Sequence, residues 1–214
     1  MEHKTVSLAD QIFMELENNI LTGVYTIGEV FTETVFSEKL GVSRTPIREA
    51  IRRLEQERLV DVTTKGVVIR GISKKDISDM YEIRIRTEGL ASRWAANTIS
   101  EEGKRELREI VELQEFYTSK KDVDNIKNMD SKFHEIVYKN CDSVVLSDML
   151  HQLHKKLIKY RRASVSNNER AFQSTKEHRE ILDAILAGNG DLAEKLTVQH
   201  VKNAKRNIEK TIKE

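Results

Sequence analysis

The sequence predicts a mainly α protein in two parts. An N-terminal winged helix-turn-helix spans residues 5–73, and a C-terminal all-α six-helix bundle spans residues 74–214. Three observations predict this. Residues 36–60 read FSEKLGVSRTPIREAIRRLEQERLV, two short amphipathic helices hinged at Gly41. Two β-branched runs follow, Arg58-Leu59-Val60-Asp61-Val62 and Val67-Val68-Ile69, with Thr63-Thr64-Lys65-Gly66 between them, the pattern of a hairpin. Beyond Ser73 no strand pattern recurs, and the only proline of the chain, Pro46, lies far upstream, which leaves room for long helices.

In the first part, Leu8, Ile12, Leu16 and Ile20 repeat at 4 and predict a helix ending near Thr22-Gly23. A short positioning helix follows over residues 33–40. Gly41 breaks it, Val42 plugs the corner, and Ser43 or Thr45 is placed to cap the next helix. Pro46 falls in that helix's first turn, where its missing N–H costs nothing. Ile47, Ile51 and Leu54 form one apolar stripe, while Arg44, Arg48 and Arg52 repeat at 4 on another face. A buried stripe with guanidinium groups opposite suits a helix laid in the major groove, where arginine reaches phosphates and the guanine edge. An ordinary solvated face has the same look. The hairpin directly after it reads as a wing with a basic tip, suited to a phosphate or minor-groove contact.

Composition narrows the classes. The 214 residues are 38% apolar and 33% charged, with a net charge of +1. Residues 1–73 hold nine Lys+Arg against eleven Asp+Glu, so affinity for nucleic acid has to come from local clustering and from dimerisation. Cys141 is alone, which excludes an intramolecular disulfide, and it falls on an apolar helical position. No signal-peptide core and no long apolar run occur, so the expected location is cytoplasmic, with no membrane partner.

GVSRTPIREAIRRLEQERLV followed by a glycine-tipped hairpin resembles the winged helix of the GntR family of bacterial transcription regulators. The resemblance covers residues 8–71. It implies operator contacts from Ser43, Arg44, Thr45 and Arg48 on the recognition helix and from Lys65 and Gly66 on the wing. Two positions depart from the family pattern. Thr26-Ile27-Gly28 keeps only the glycine of a usual Pro-Gly pair, and Arg58 stands where a glycine is usual after the recognition helix.

The second part reads as six helices. The first, over 75–98, has Ile77, Met80, Tyr81, Ile83, Leu90, Ala91, Trp94 and Ala95 as inner positions. Ser100 caps the second, with Leu107, Ile110, Val111, Leu113 and Phe116 inside. Asp122 or Asp124 caps the third, which runs to about residue 140. The fourth opens at Ser143 and carries Leu146, Leu150, Leu153, Leu157 and Tyr160, and residues 164–168 read as a break. The fifth ends at Gly188-Asn189-Gly190, and Asp191 with Glu194 suggests a capping box for the sixth.

Buried helix faces should be apolar, and four positions violate this. Ile126, Asp130, His134, Val137 and Cys141 share one stripe on the third helix. His178 lies with Ile181, Leu182 and Ile185 on the fifth, and His200 repeats at 4 with Leu196, Ala204 and Ile208 on the sixth. Any one of these histidines fits a hydrogen-bonded core residue. Together, three helices aim imidazoles and one carboxylate into one core, which a divalent metal would stabilise. His151 and His154 fall off or beside the leucine stripe of the fourth helix and read as surface or rim residues.

This part resembles the helical effector domain of the FadR branch, the FCD type. The resemblance implies metal ligation by Asp130, His134, His178 and His200, with a zinc- or nickel-like divalent ion. The acyl-CoA-responsive FadR lacks this set, so acyl-CoA is not the expected ligand. The family often places an arginine against an acidic ligand, which implicates Arg84; the alternative for Arg84 is a salt bridge to Glu82, Glu88 or a neighbouring helix. Arg161 and Arg162 are weaker candidates for the same task. The expected function is a repressor, not an enzyme, acting as a homodimer on a palindromic operator and responding to a small organic acid. Direct metal sensing is an alternative, and a metal-dependent hydrolase with an accessory DNA-binding domain is a further one.

Overall fold

The computed structural model describes residues 6–164 and 168–213 and divides after Ser73 into two compact units. In the first, α1 (Leu8–Thr22) opens with the Ser7 hydroxyl accepting from the Asp10 amide and buries Ile12, Phe13, Leu16 and Ile20. A strand, β1 (Val30–Phe31), precedes α2 (Glu33–Leu40), which is capped by the Thr32 hydroxyl. The recognition helix α3 (Arg44–Gln56) buries Ile47, Ala50, Ile51 and Leu54. Ser43 holds the extended backbone of a cap there, but its hydroxyl makes no capping hydrogen bond. Strands β2 (Val60–Thr63) and β3 (Gly66–Ile69) form the hairpin, with Thr63 paired to Gly66 and Thr64-Lys65 as its tip. β1 pairs antiparallel to β3, giving the order β1-β3-β2. This added strand is absent from the sequence pattern because two residues cannot display alternation. Phe31 stacks on Phe36 at 4.9 Å and ties the sheet to α2.

The second unit contains α4 (Lys74–Thr98), α5 (Glu101–Lys120), α6 (Val123–Lys139), α7 (Val144–Ser164), α8 (Asn168–Leu186) and α9 (Gly190–Lys213). Its core gathers Ala95, Leu107, Val111, Phe133, Val137, Leu182, Ile185 and Ala193. Asp122 caps α6 through the Asn125 amide.

Several inner positions differ from expectation. Ile83 and Trp94 of α4 are 43% and 36% exposed, because the buried stripe runs through Tyr81, Arg84, Glu88, Ala91, Ser92 and Ala95 instead. Two residues along a helix turn a side chain by about 200°, so Ile83 faces away from Tyr81. Phe116 is 53% exposed for the same reason: Gln114 takes the inward place, and the Lys120 ammonium lies over the Phe116 ring. On α7 the stripe is Leu146, Leu150, His154 and Leu157, and Leu153 only flanks it. His154 is therefore buried at 5% exposure rather than at a rim, while His151 is half-buried. At the start of α9 the Asn189 side chain accepts from the Leu192 amide. Asp191 and Glu194 pair with Arg93 of α4 instead of forming a capping box. The break expected at 164–168 includes residues 165–167, which lie outside the described residues, as do the side chains of Arg161 and Arg162.

Candidate metal centre and nucleic-acid interface

His134 projects from α6, His178 from α8 and His200 from α9, and none is more than 3% exposed. Their ring centroids lie 5.2 Å (134–178), 5.2 Å (134–200) and 4.7 Å (178–200) apart. One donor atom from each lies within 4.8 Å of the other two. Asp130, one turn before His134 and 5% exposed, borders this group: its Oδ1 is 3.8 Å from His178 Nε2 and accepts from the Ser174 hydroxyl at 3.4 Å. The Phe133 ring stacks on His178 at 4.0 Å and fixes its plane.

Behind the rings, each Nδ1 meets an acceptor from another helical position. His134 Nδ1 is 3.4 Å from Glu88 Oε2 on α4. His178 Nδ1 is 2.8 Å from Gln114 Oε1 on α5, and His200 Nδ1 is 2.7 Å from Glu177 Oε2 on α8. A carboxylate or amide oxygen only accepts, so each Nδ1 donates the proton of its contact, which leaves ligation of a metal to Nε2. Outer acceptors that fix tautomer and ring angle are the usual support of metal-ligating histidines. The donor set therefore fits a divalent ion that prefers imidazole and carboxylate.

Both outer carboxylates are charged. Burial pushes Glu88 up, but Arg84 and His134 outweigh it and hold the carboxyl well below its ordinary value. Burial likewise raises Glu177, but hydrogen bonds from His200 and Arg170 bring it to about 2. The Arg170 guanidinium donates to Glu177 at 2.8 Å and the Asn203 amide at 2.6 Å.

Arg84 is 2% exposed and grips Glu88, with Nε at 2.5 Å from Oε1 and Nη2 at 3.3 Å from Oε2. The salt bridge that the sequence offered as its alternative role is thus present. One arm remains: Arg84 Nη1 is buried with no hydrogen-bond partner among the described residues, and so is Gln114 Nε2. Gln114 and Glu177 escaped the sequence reading. Gln114 could have been found by the signal that exposed the histidines, since it interrupts the stripe Leu107, Ile110, Val111.

At the other unit, Ser43, Arg44, Thr45 and Arg48 are exposed at the start of α3, and Lys65 is exposed at the wing tip. Arg48 is held by Glu33 of α2 through two hydrogen bonds of 3.1 and 2.8 Å. That contact keeps the Glu33 carboxyl below its usual range. Gly66 has a backbone reason of its own. Its φ is +128°, and a Cβ there would lie 2.5 Å from the Phe31 carbonyl oxygen of β1, so a side chain would push the wing off the sheet.

Residues 8–68 match the family described as bacterial regulatory proteins, gntR family, and residues 79–203 match the FCD domain. The chain belongs to the GntR family of transcription regulators and carries an FCD domain. Among GntR-family relatives, the HTH-type transcriptional regulator YdhC of Bacillus subtilis (strain 168) is 28% identical, over 89% of this chain and 86% of that one. The HTH-type transcriptional repressor RspR of Escherichia coli (strain K12) is 23% identical over 95% and 90%. The gluconate operon transcriptional repressor of Bacillus licheniformis is 27% identical, over 61% of this chain and 54% of that protein. Of solved structures, E. coli McbR/YncC superposes with a TM-score of 0.78 at 20% identity, covering 97% of this chain and all of that one, which shows the shared fold. The families matched are transcription regulators and not enzymes, which removes the hydrolase alternative. No helix among the described residues is long and apolar enough to cross a membrane.

Proposed function

We propose that this regulator is a cytoplasmic repressor whose helical domain holds a divalent metal and takes up a small organic acid. The observation that carries the reading is the convergence of three buried imidazoles, each with its Nδ1 engaged from behind. His134, His178 and His200 would hold the ion, with Asp130 as the bordering carboxylate. A bound zinc- or nickel-like ion supplies a Lewis-acidic position for a carboxylate group. Arg84 Nη1 and Gln114 Nε2 support an acidic ligand, because a buried donor without a partner costs about 1–3 kcal/mol that a bound anion would recover. The name of one relative, the gluconate operon transcriptional repressor, makes sugar acids such as gluconate the first ligands to try.

On DNA, a homodimer would set two winged helices on the half-sites of a palindromic operator. Ser43, Arg44, Thr45 and Arg48 would enter the major groove, with Lys65 and Gly66 at the wing tip beside the backbone. The acid would change how the helical domains hold the winged helices and so relieve repression.

The test is metal content and operator affinity of the His178→Ala and His200→Ala proteins. Both should lose metal and the response to acids such as gluconate while still binding operator DNA. A normal acid response in either protein would refute the metal-linked effector site. A metal-dependent change in operator affinity without any acid would instead favour direct metal sensing.

A further inference from the structure

Glu88 of α4 is 1% exposed, and its two oxygens receive four contacts. Oε1 accepts from Arg84 Nε at 2.5 Å and from the Tyr138 hydroxyl at 2.7 Å. Oε2 faces Arg84 Nη2 at 3.3 Å and His134 Nδ1 at 3.4 Å. A carboxylate offers about four acceptor positions, so this one is fully used. Its donors come from two sources: Arg84 on its own helix, and His134 with Tyr138 one turn apart on α6. The same carboxylate thus serves the arginine with a spare buried arm and the histidine that opens the metal cluster.

We propose that Glu88 is a positioning residue that couples the two halves of the site, fixing His134 with Nδ1 protonated and holding Arg84 so that Nη1 is left for an anion. This rests on the metal-and-acid reading above. The Nδ1–H···carboxylate contact makes Nε2 a stronger donor to a metal. The carboxylate's charge is divided between Arg84 and His134. An anion that draws on Arg84 loosens its hold on Glu88, and more of that charge then falls on His134. Metal and acid are therefore linked favourably, and linkage makes the effect reciprocal. The partition is between charge-assisted hydrogen bonds in a water-poor interior, where each is strong.

The experiment uses the full chain, with zinc alone as the probe. Zinc affinity is measured by competition with a chelating dye for the wild type, Glu88→Gln and Tyr138→Phe, and imidazole 15N spectra are recorded without metal. Glu88→Gln should weaken zinc binding about 10–100-fold, the range for removing an outer partner of a ligating histidine. Its His134 signal should change from a single Nδ1–H tautomer to a mixture, which a merely structural role would not produce. Tyr138→Phe removes one donor from the same carboxylate without stranding a charge, and should tighten zinc binding. Wild-type affinity in Glu88→Gln, with the His134 tautomer unchanged, overturns the proposal. If Glu88→Gln does not fold, unchanged or weaker zinc binding by Tyr138→Phe overturns it. Absence of zinc binding by the wild type would refute the metal site itself, and with it the coupling.

Discussion

Gly89, next to Glu88 on α4, packs closely against α9. A Cβ at this position would lie 2.8 Å from Val198 Cγ2, 2.9 Å from Glu194 Cγ and 3.1 Å from the Glu194 carbonyl oxygen, all on α9. The Val198 and Glu194 side chains can rotate away, but the carbonyl belongs to the α9 backbone and moves only with the helix. Gly89→Ala gains about 1 kcal/mol of helix propensity. Against that, forcing a methyl group into a filled interface costs about 1–3 kcal/mol. With the backbone contact at the upper part of that range, the net loss is about 1–2 kcal/mol, or a melting midpoint about 3–6 °C lower for a chain of this size. The assay is thermal unfolding of the metal-free protein followed by circular dichroism. Zinc affinity should fall as well, since separating α4 from α9 moves Glu88 and His200 apart. A Gly89→Ala protein that melts at or above the wild type would refute this account of the α4–α9 contact.

Three further outcomes are expected. Arg44→Ala should weaken operator binding by about 1–3 kcal/mol with the fold intact by circular dichroism, as loss of a base-reading arginine does; gel-shift titration at fixed salt checks it. Arg58 adopts φ +57°, a left-handed conformation that costs a residue with a side chain about 1–2 kcal/mol. Arg58→Gly should therefore raise the denaturant midpoint without changing its slope, the entropy of the added glycine offsetting only part of the gain. Zinc held at one hundred times its dissociation constant should stabilise the wild type by about 2.7 kcal/mol, and a chelator should reverse the resulting shift in melting midpoint.

The recognition helix was legible because Ile47, Ile51 and Leu54 are all buried and their spacing is purely local. The burial of His134, His178 and His200 was legible for the same reason, each standing on a stripe otherwise apolar. What escaped depends on partners distant in the chain. Gln114 meets His178 across 64 residues, and the Tyr138 hydroxyl meets Glu88 across 50. Periodicity along one helix carries no record of such pairings. It also misplaced His154 and Leu153, because neighbouring residues near the edge of a stripe differ by only about 100° of rotation. On α4 a hydrophobicity count put Ile83 and Trp94 inside, whereas packing put Arg84 and Glu88 there, as a pair that satisfies itself.

The two outer carboxylates each come with an arginine, Glu88 with Arg84 and Glu177 with Arg170. Asp130, its Oδ1 3.8 Å from His178 Nε2, is a third buried carboxyl group beside the histidines. A divalent cation held there would be the largest local charge and would offer positive charge for an organic anion to meet. On the function proposed above, the cell's supply of metal decides whether the regulator can notice the acid at all.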